Sequence, residues 1–147
     1  MKILLLTILA CLLFGAAYAE RPAKGAHLKM DDPTHDFGDV PRKGGDLVHE
    51  FRFTNDGTAP LVILRAMTSC SCLKTSYPKR PVAPGDSGVI RVVYEPHKSE
   101  PGVFNKVIQI YSNSADGRDI ITVQGNSIDG ERSGKAKERR NRTKTEH

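Results

Sequence analysis

Residues 47–54 read LVHEFRFT, and hydrophobic side chains alternate there with polar or outward-facing ones. A period of two is typical of a β-strand with one face packed on a core. One face would carry Leu47, His49, Phe51 and Phe53, and the other Val48, Glu50, Arg52 and Thr54. The next residues, NDGTAP at 55–60, predict a turn, because Asn, Asp and Gly tolerate the left-handed backbone that tight turns require.

Runs of the same kind continue on both sides of this stretch, separated by Pro, Gly, Asn and Asp. They are HDFGDV (35–40), LVILRAM (61–67), VIRVVYE (89–95), VFNKVIQIYS (103–112) and DIITVQG (119–125). No stretch has a helical period. Short strands at this spacing predict an all-β, immunoglobulin-like antiparallel sandwich of about seven strands over residues 33–128. The chain has no Trp, so the Cys-Trp-Cys signature of antibody domains is absent.

The N-terminus predicts export. Lys2 precedes an apolar run at residues 3–14, and Ala17-Tyr18-Ala19 supplies a small-x-small cleavage site, so residues 1–19 fit a signal peptide. The apolar run is shorter than the ~20 residues that span a bilayer, and no membrane span is expected after cleavage. Lipidation at Cys11 is the alternative to cleavage after Ala19. Residues 20–32 are predicted to be a linker, and the protein to be periplasmic, secreted or at the cell surface.

The net charge of +5 lies mostly at the C-terminus. Residues 129–147 hold seven basic and four acidic residues, whereas residues 20–128 hold 14 and 13. A nucleic-acid-binding domain concentrates basic residues on its folded surface, so no nucleic-acid partner is expected. Residues 129–147 contain almost no hydrophobic residues and are predicted to be a disordered basic tail. The tail either associates with anionic envelope surfaces or keeps the protein soluble.

Several segments together resemble a known family. They are FGDV (37–40), FRFTNDGTAPLVI (51–63), SCSC (69–72), PVAPGDSGVIRVVYEP (81–96), GVFNKVIQIYSN (102–113) and VQGN (123–126). They resemble domain of unknown function 1573, an exported bacterial family similar in fold to the Ig-like ASH/MSP/Hydin group. The family pattern reads C-G-C-T where this chain has CSCL at 70–73. The resemblance implies the fold and export, and it implies no established activity.

Loss of Cys11 with the signal peptide would leave Cys70 and Cys72 as the only cysteines. In an extended strand both would project to one face, where two thiolates could share a soft metal ion such as copper or zinc. Two sulfurs are too few for a structural zinc site, so further ligands would have to come from elsewhere. The candidates are His35, His49, His97 and Met67, none at a metal-site spacing from the pair.

Other chemistries compete for the same two cysteines. A Cys70–Cys72 disulfide would suit thiol exchange, although Lys74 is the only charge close in sequence and no helix is expected there to activate a thiolate. Disulfides to a second envelope protein are a further alternative. The simplest interpretation is that both cysteines pack as small hydrophobic residues in the core.

We therefore expect a non-enzymatic binding or structural module of the bacterial cell envelope. Its partner would be an envelope protein or a surface polymer, reached through edge strands or the loops at 41–46, 55–60 and 96–102. No catalytic motif and no cofactor site is recognised in the sequence. The alternative is a thiol redox or soft-metal protein centred on Cys70 and Cys72.

Overall fold

Two four-stranded sheets make up the computed structural model, which describes residues 24–130. The strands are β1 (Leu28–Met30), β2 (Thr34–Pro41), β3 (Leu47–Asn55), β4 (Ile63–Thr68), β5 (Leu73–Ser76), β6 (Ser87–Tyr94), β7 (Gly102–Ser112) and β8 (Arg118–Ile128). A single 3-10 turn, Pro96–Lys98, follows β6 in the described part of the chain. The first sheet has the order β1-β3-β6-β5, and the second has the order β2-β8-β7-β4.

The alternation in residues 47–54 is confirmed. Phe51 and Phe53 of β3 are buried, whereas the alternate residues Glu50 and Arg52 are exposed. Phe53 lies opposite Gly88 of β6, and a side chain at Gly88 would begin 2.5 Å from the Phe53 ring. The missing side chain at Gly88 therefore gives the phenyl ring its place in the core.

The inner faces of the two sheets form one hydrophobic core. Tyr94 of β6 packs against Phe104 of β7 across the sandwich, with ring centroids 4.5 Å apart. Ile108 and Ile110 of β7 and Val123 of β8 are completely buried beside them. Burying a side chain of this size contributes about 1.5–3 kcal/mol, so the alternating strands supply most of the driving force for folding.

The Ig-like sandwich is confirmed, with two differences from the predicted strand set. One strand pair is parallel, because β2 joins the second sheet beside β8 and runs in the same direction. The sheets also include β1 and β5, which are too short to produce a visible period. Leu28–Met30 lies inside the stretch 20–32 that the sequence predicts as a linker. The predicted signal peptide, Cys11 and tail residues 131–147 lie outside the described residues.

The outer edges of both sheets are short or irregular. The register of β2 shifts between Asp36 and Asp39, and that of β4 shifts between Ile63 and Arg65. The edges of the other sheet, β1 and β5, have three and four residues. Bulges and short edge strands discourage the addition of a further strand. Recognition of a partner is therefore better served by the ends and outer faces of the sandwich than by its edges.

Candidate functional site at the cysteine end

The segment Cys70–Ser71–Cys72 forms a turn between β4 and β5 rather than part of an extended strand. The backbone N–H of Leu73 donates to the Cys70 carbonyl at 3.3 Å, and the Thr68 hydroxyl donates to the same oxygen at 3.2 Å. The extended arrangement, in which both cysteines would project to one face of a strand, is therefore not the one that forms. Since β4 and β5 belong to different sheets, the chain has to cross the sandwich here and cannot remain extended.

The two cysteines are joined to each other by a disulfide, with their Cα atoms 5.2 Å apart. Cys72 is completely buried in the hydrophobic core, and Cys70 is partly buried against it. The backbone N–H of Cys72 points at the Cys70 sulfur at 2.9 Å. The pair thus packs as a small apolar unit, with the Cys70 side turned toward the surface.

Hydrogen bonds fix this turn to both sheets. The Ser69 N–H donates to the Val107 carbonyl of β7 at 3.0 Å, and the Ser69 hydroxyl accepts from the Val107 N–H at 3.1 Å. On the other side, the Glu95 N–H donates to the Cys72 carbonyl at 2.8 Å. The cysteine turn is therefore held at both ends.

Glu95 forms an ion-pair cluster directly behind the turn. Its side chain is buried, and its two oxygens accept from Lys98 Nζ at 2.8 Å and from Lys74 Nζ at 2.9 Å. The hydrogen bond from Lys98, and then that from Lys74, lower the pKa of Glu95 to about 2. The carboxylate consequently stays ionised and holds the start of loop 96–101 against β5.

Two of the three loops predicted to bind partners meet at this end of the sandwich. Arg42, in loop 41–46, donates through Nε to the Ser99 carbonyl of loop 96–101 at 2.9 Å. The Arg42 guanidinium also pairs with Asp129 at 3.0 Å, and His97 lies 4.0 Å from Asp46. The third loop, 55–60, lies at the opposite end, where the backbone N–H of Thr58 donates to Gly25.

A cleft of about 550 Å³ opens between the cysteine turn, loop 96–101 and the beginning of β7. We call it the cysteine-end cleft; it is lined by Cys70, Ser71, Lys98, Ser99, Glu100, Pro101, Val103, Phe104, Asn105 and Lys106. Lys98 and Lys106 line the same cleft as Cys70, a grouping that their separation in the sequence does not reveal. The sequence did contain one sign that Lys106 is unusual: it lies on the same face of β7 as the buried residues Phe104 and Ile108, where a hydrophobic residue would be expected.

None of the histidines considered as additional metal ligands lines the cysteine-end cleft, and two of them pack on each other. His35 of β2 stacks on His49 of β3, with ring centroids 3.5 Å apart. Burial, and then the neighbouring His35, lower the pKa of His49. Within residues 24–130 no group of three or more His, Cys, Asp or Glu side chains has an arrangement that could hold a metal ion. A metal at Cys70 and Cys72 stays a prediction, and it would require reduction of the disulfide.

No helix in the described residues is long and apolar enough to cross a membrane. The sequence family described as "Protein of unknown function (DUF1573)" matches residues 28–127. No curated protein matches the chain.

Solved structures share the fold at low sequence identity. A protein of unknown function from Porphyromonas gingivalis W83 superposes with a TM-score of 0.63 and 18% identity, over 76% of this chain and 51% of that one. This chain thus spans about half the length of that protein. The ASH/PapD-like domain 7 of human CEP192 has a TM-score of 0.56 and 10% identity, over 78% of this chain and 93% of that domain. The YadV chaperone has a TM-score of 0.51 and 11% identity, over 68% of this chain and 51% of that one.

Proposed function

Because this chain belongs to the DUF1573 family of proteins of unknown function, we propose that it is a non-enzymatic binding module exported to the bacterial cell envelope. The single observation that carries the proposal is the cysteine-end cleft of about 550 Å³, built from loops that are fixed to both sheets. The partner is an envelope protein or a surface polymer. The Ig-like fold, which the chain shares with a periplasmic chaperone among its structural neighbours, supports a role in binding.

The rigidity of the cysteine-end cleft favours binding over a purely structural role. Its walls are held by the Ser69–Val107 pair of hydrogen bonds, by the Glu95 ion pairs and by the Arg42–Ser99 contact. A surface that is ordered before binding loses little conformational entropy when a partner docks. The partner would meet the exposed hydroxyl of Ser71 and the ammonium groups of Lys98 and Lys106.

Binding to envelope material tests this proposal. The chain from Glu20 onward, labelled with a fluorophore, would be sedimented with cell envelopes isolated from its own bacterium. The Ser71→Trp variant fills the cleft mouth with an indole ring, and Ala115→Trp places the same ring on an exposed position at the opposite end. We expect Ser71→Trp to weaken co-sedimentation about ten-fold or more, which corresponds to about 1.4 kcal/mol. Equal binding by both variants, or no binding by the wild type, would contradict the proposal.

The disulfide favours one second candidate function, thiol exchange. Cys70 lines the cleft beside Lys98 and Lys106, while Cys72 is buried. A partner thiolate would attack the Cys70 sulfur, forming a mixed disulfide and releasing Cys72 as a thiolate. Attack by a second partner thiol would then oxidise the two partner thiols to a disulfide and leave Cys70 and Cys72 reduced. Burial of Cys72 disfavours its release as a thiolate, so this candidate requires the turn to open during exchange.

Intact-mass measurement separates the two candidates and tests export as well. The protein is isolated from its own cells without reductant and alkylated after unfolding. Loss of residues 1–19 would support export, and retention of the full chain would oppose it.

The thiol-exchange candidate also requires the disulfide to equilibrate with a glutathione redox buffer in the folded protein. A disulfide that resists this buffer until the protein unfolds would exclude that candidate and leave the binding module.

A further inference from the structure

A second concave surface lies on the outer face of the β2-β8-β7-β4 sheet. It encloses about 340 Å³, and its lining includes Asp36, Asp39, Gln124 and Asn126 together with Gly125. Gly125 lies opposite Phe104 of β7, and a Cβ there would lie 2.8 Å from the Gly38 carbonyl oxygen and 2.9 Å from the Phe104 ring, so this position has no room for a side chain. We call this surface the sheet-face groove.

The polar side chains of the sheet-face groove are arranged in two parallel rows. Gln124 donates through Nε2 to Asp36 at 3.1 Å, and Asn126 donates through Nδ2 to Asp39 at 2.9 Å. The backbone N–H of Gly38 also donates to Asp36, at 2.7 Å. Since each amide nitrogen donates to a carboxylate, the amide oxygens and the remaining carboxylate lone pairs are left as hydrogen-bond acceptors. The groove therefore accepts hydrogen bonds and carries two negative charges.

The C-terminal segment of the chain begins next to this groove. Residue Ile128 ends β8 opposite Pro41, and the pair Asp39 and Asn126 lies two positions earlier along the same two strands. Residues 131–147, which follow, contain seven Lys or Arg residues and three Glu. Fully extended, 17 residues reach roughly 55–60 Å, so tether length does not limit access to the groove.

We propose that residues 131–147 dock on the sheet-face groove, with Lys and Arg side chains bound at Asp36 and Asp39. Charge complementarity selects this occupant, because within the described residues the groove is lined by two carboxylates and no Lys or Arg. Tethering raises the local concentration of the segment to roughly the millimolar range, so contacts too weak for a free peptide suffice. Arg adds a planar fork that pairs with carboxylate and amide oxygens together.

Docking there also has a consequence for the cysteine-end cleft. The two concave surfaces share Val103, Phe104 and Asn105, and the Val103 side chain between them is 89% exposed. A docked basic segment would thus lie against one wall of the cleft and compete with a partner. This consequence rests on the proposed function, whereas the docking itself does not.

Zero-length cross-linking of the chain from Glu20 onward tests the docking directly. A carbodiimide joins carboxylates to lysine amines in contact, and Lys135, Lys137 and Lys144 are the lysines of the segment. Cross-links between Glu95 and Lys98, whose atoms are 2.8 Å apart, serve as the internal standard. Tail lysines should couple to Asp36 and Asp39 about five-fold or more over Glu50, an exposed carboxylate on the other sheet, given the local concentration effect.

Two controls decide the outcome. The preference should vanish in about 1 M salt, where the screening length falls to ~3 Å, and in the Asp36→Asn, Asp39→Asn variant. The matched variant Glu50→Gln should leave the yield of cross-links to Asp36 and Asp39, relative to the Glu95–Lys98 standard, unchanged. Two results would overturn the docking. Either the tail lysines couple evenly to all exposed carboxylates, or they couple to none while the Glu95–Lys98 cross-link forms. Either result leaves the envelope-binding test with Ser71→Trp unaffected, so the two proposals fail separately.

Discussion

Asn55→Ala is expected to be among the most destabilising polar substitutions in this protein. Asn55 ends β3, is completely buried and makes four side-chain hydrogen bonds. Its Oδ1 accepts from the N–H groups of Gly57 at 3.1 Å and His27 at 3.3 Å. Its Nδ2 donates to the carbonyls of Ala59 at 2.8 Å and Val82 at 2.9 Å. At about 1 kcal/mol for each lost bond, the substitution should cost about 4 kcal/mol of unfolding free energy.

Urea denaturation followed by far-UV circular dichroism measures this loss. Asn113→Ala is the matched control, because Asn113 also bridges two backbone groups, Val62 N at 2.7 Å and Pro60 O at 3.0 Å, but at the surface. Water replaces those bonds, so Asn113→Ala should cost only about 1 kcal/mol. Asn55→Asp keeps the shape but turns an oxygen toward the Ala59 and Val82 carbonyls, so it should also destabilise strongly. A cost for Asn55→Ala no larger than that of Asn113→Ala would refute the reasoning.

Three further predictions concern charge and packing. The lowered pKa of Glu95 means that its ion pairs stabilise the fold above about pH 4.5 and are lost as the pH falls toward about 2, so Glu95→Gln should flatten the acid limb of a pH–stability profile. The hydrogen bond to Asp56, the largest effect, raises the pKa of His27. The His27–Asp56 pair therefore stabilises the fold fully below about pH 6.5, and this stabilisation is lost as the pH rises through the pKa of His27 in the folded protein. His27→Gln should remove the resulting pH dependence from melting temperatures measured between about pH 5 and 9. Gly125→Ala should lower the unfolding free energy by about 1–3 kcal/mol in urea denaturation, because the new methyl group meets a backbone oxygen, whereas Gly44→Ala in an exposed loop should cost less.

The sandwich could be predicted from the sequence because its long strands alternate with period two. Phe51 and Phe53, for example, lie on the face that the pattern assigned to the core. Strand β1 could not be predicted, since three residues contain too little of a period to distinguish them from a linker. The parallel pairing of β2 with β8 depends on which sheet the chain enters after β1, and local sequence carries no information about that choice.

The candidate site was predictable only in part. Loops 41–46 and 96–101 lie together because Arg42 donates a hydrogen bond to the Ser99 carbonyl, and no local sequence pattern predicts a contact between such distant residues. The turn at NDGTAP was predicted from local residue types. Asn55 also fixes it from inside the protein, because its buried side chain donates a hydrogen bond to the Ala59 carbonyl. The cysteine pair directed attention to the end of the molecule where the candidate cleft lies, although the segment forms a turn and not the extended strand that a shared metal site would use. Lys98 and Lys106 line the same cleft as Cys70 only because the tertiary structure brings these distant segments together.

Photo-cross-linking in living cells tests the central claim, binding through the cysteine-end cleft, most directly. A photoreactive amino acid is placed at Glu100 or Pro101, both exposed at the cleft, and at Ala115 or Asp116, both exposed at the opposite end. After irradiation, the proposal predicts discrete higher-mass adducts from the two cleft positions and none from the other two. Adducts of equal yield from both ends, or adducts from the opposite end alone, would contradict it.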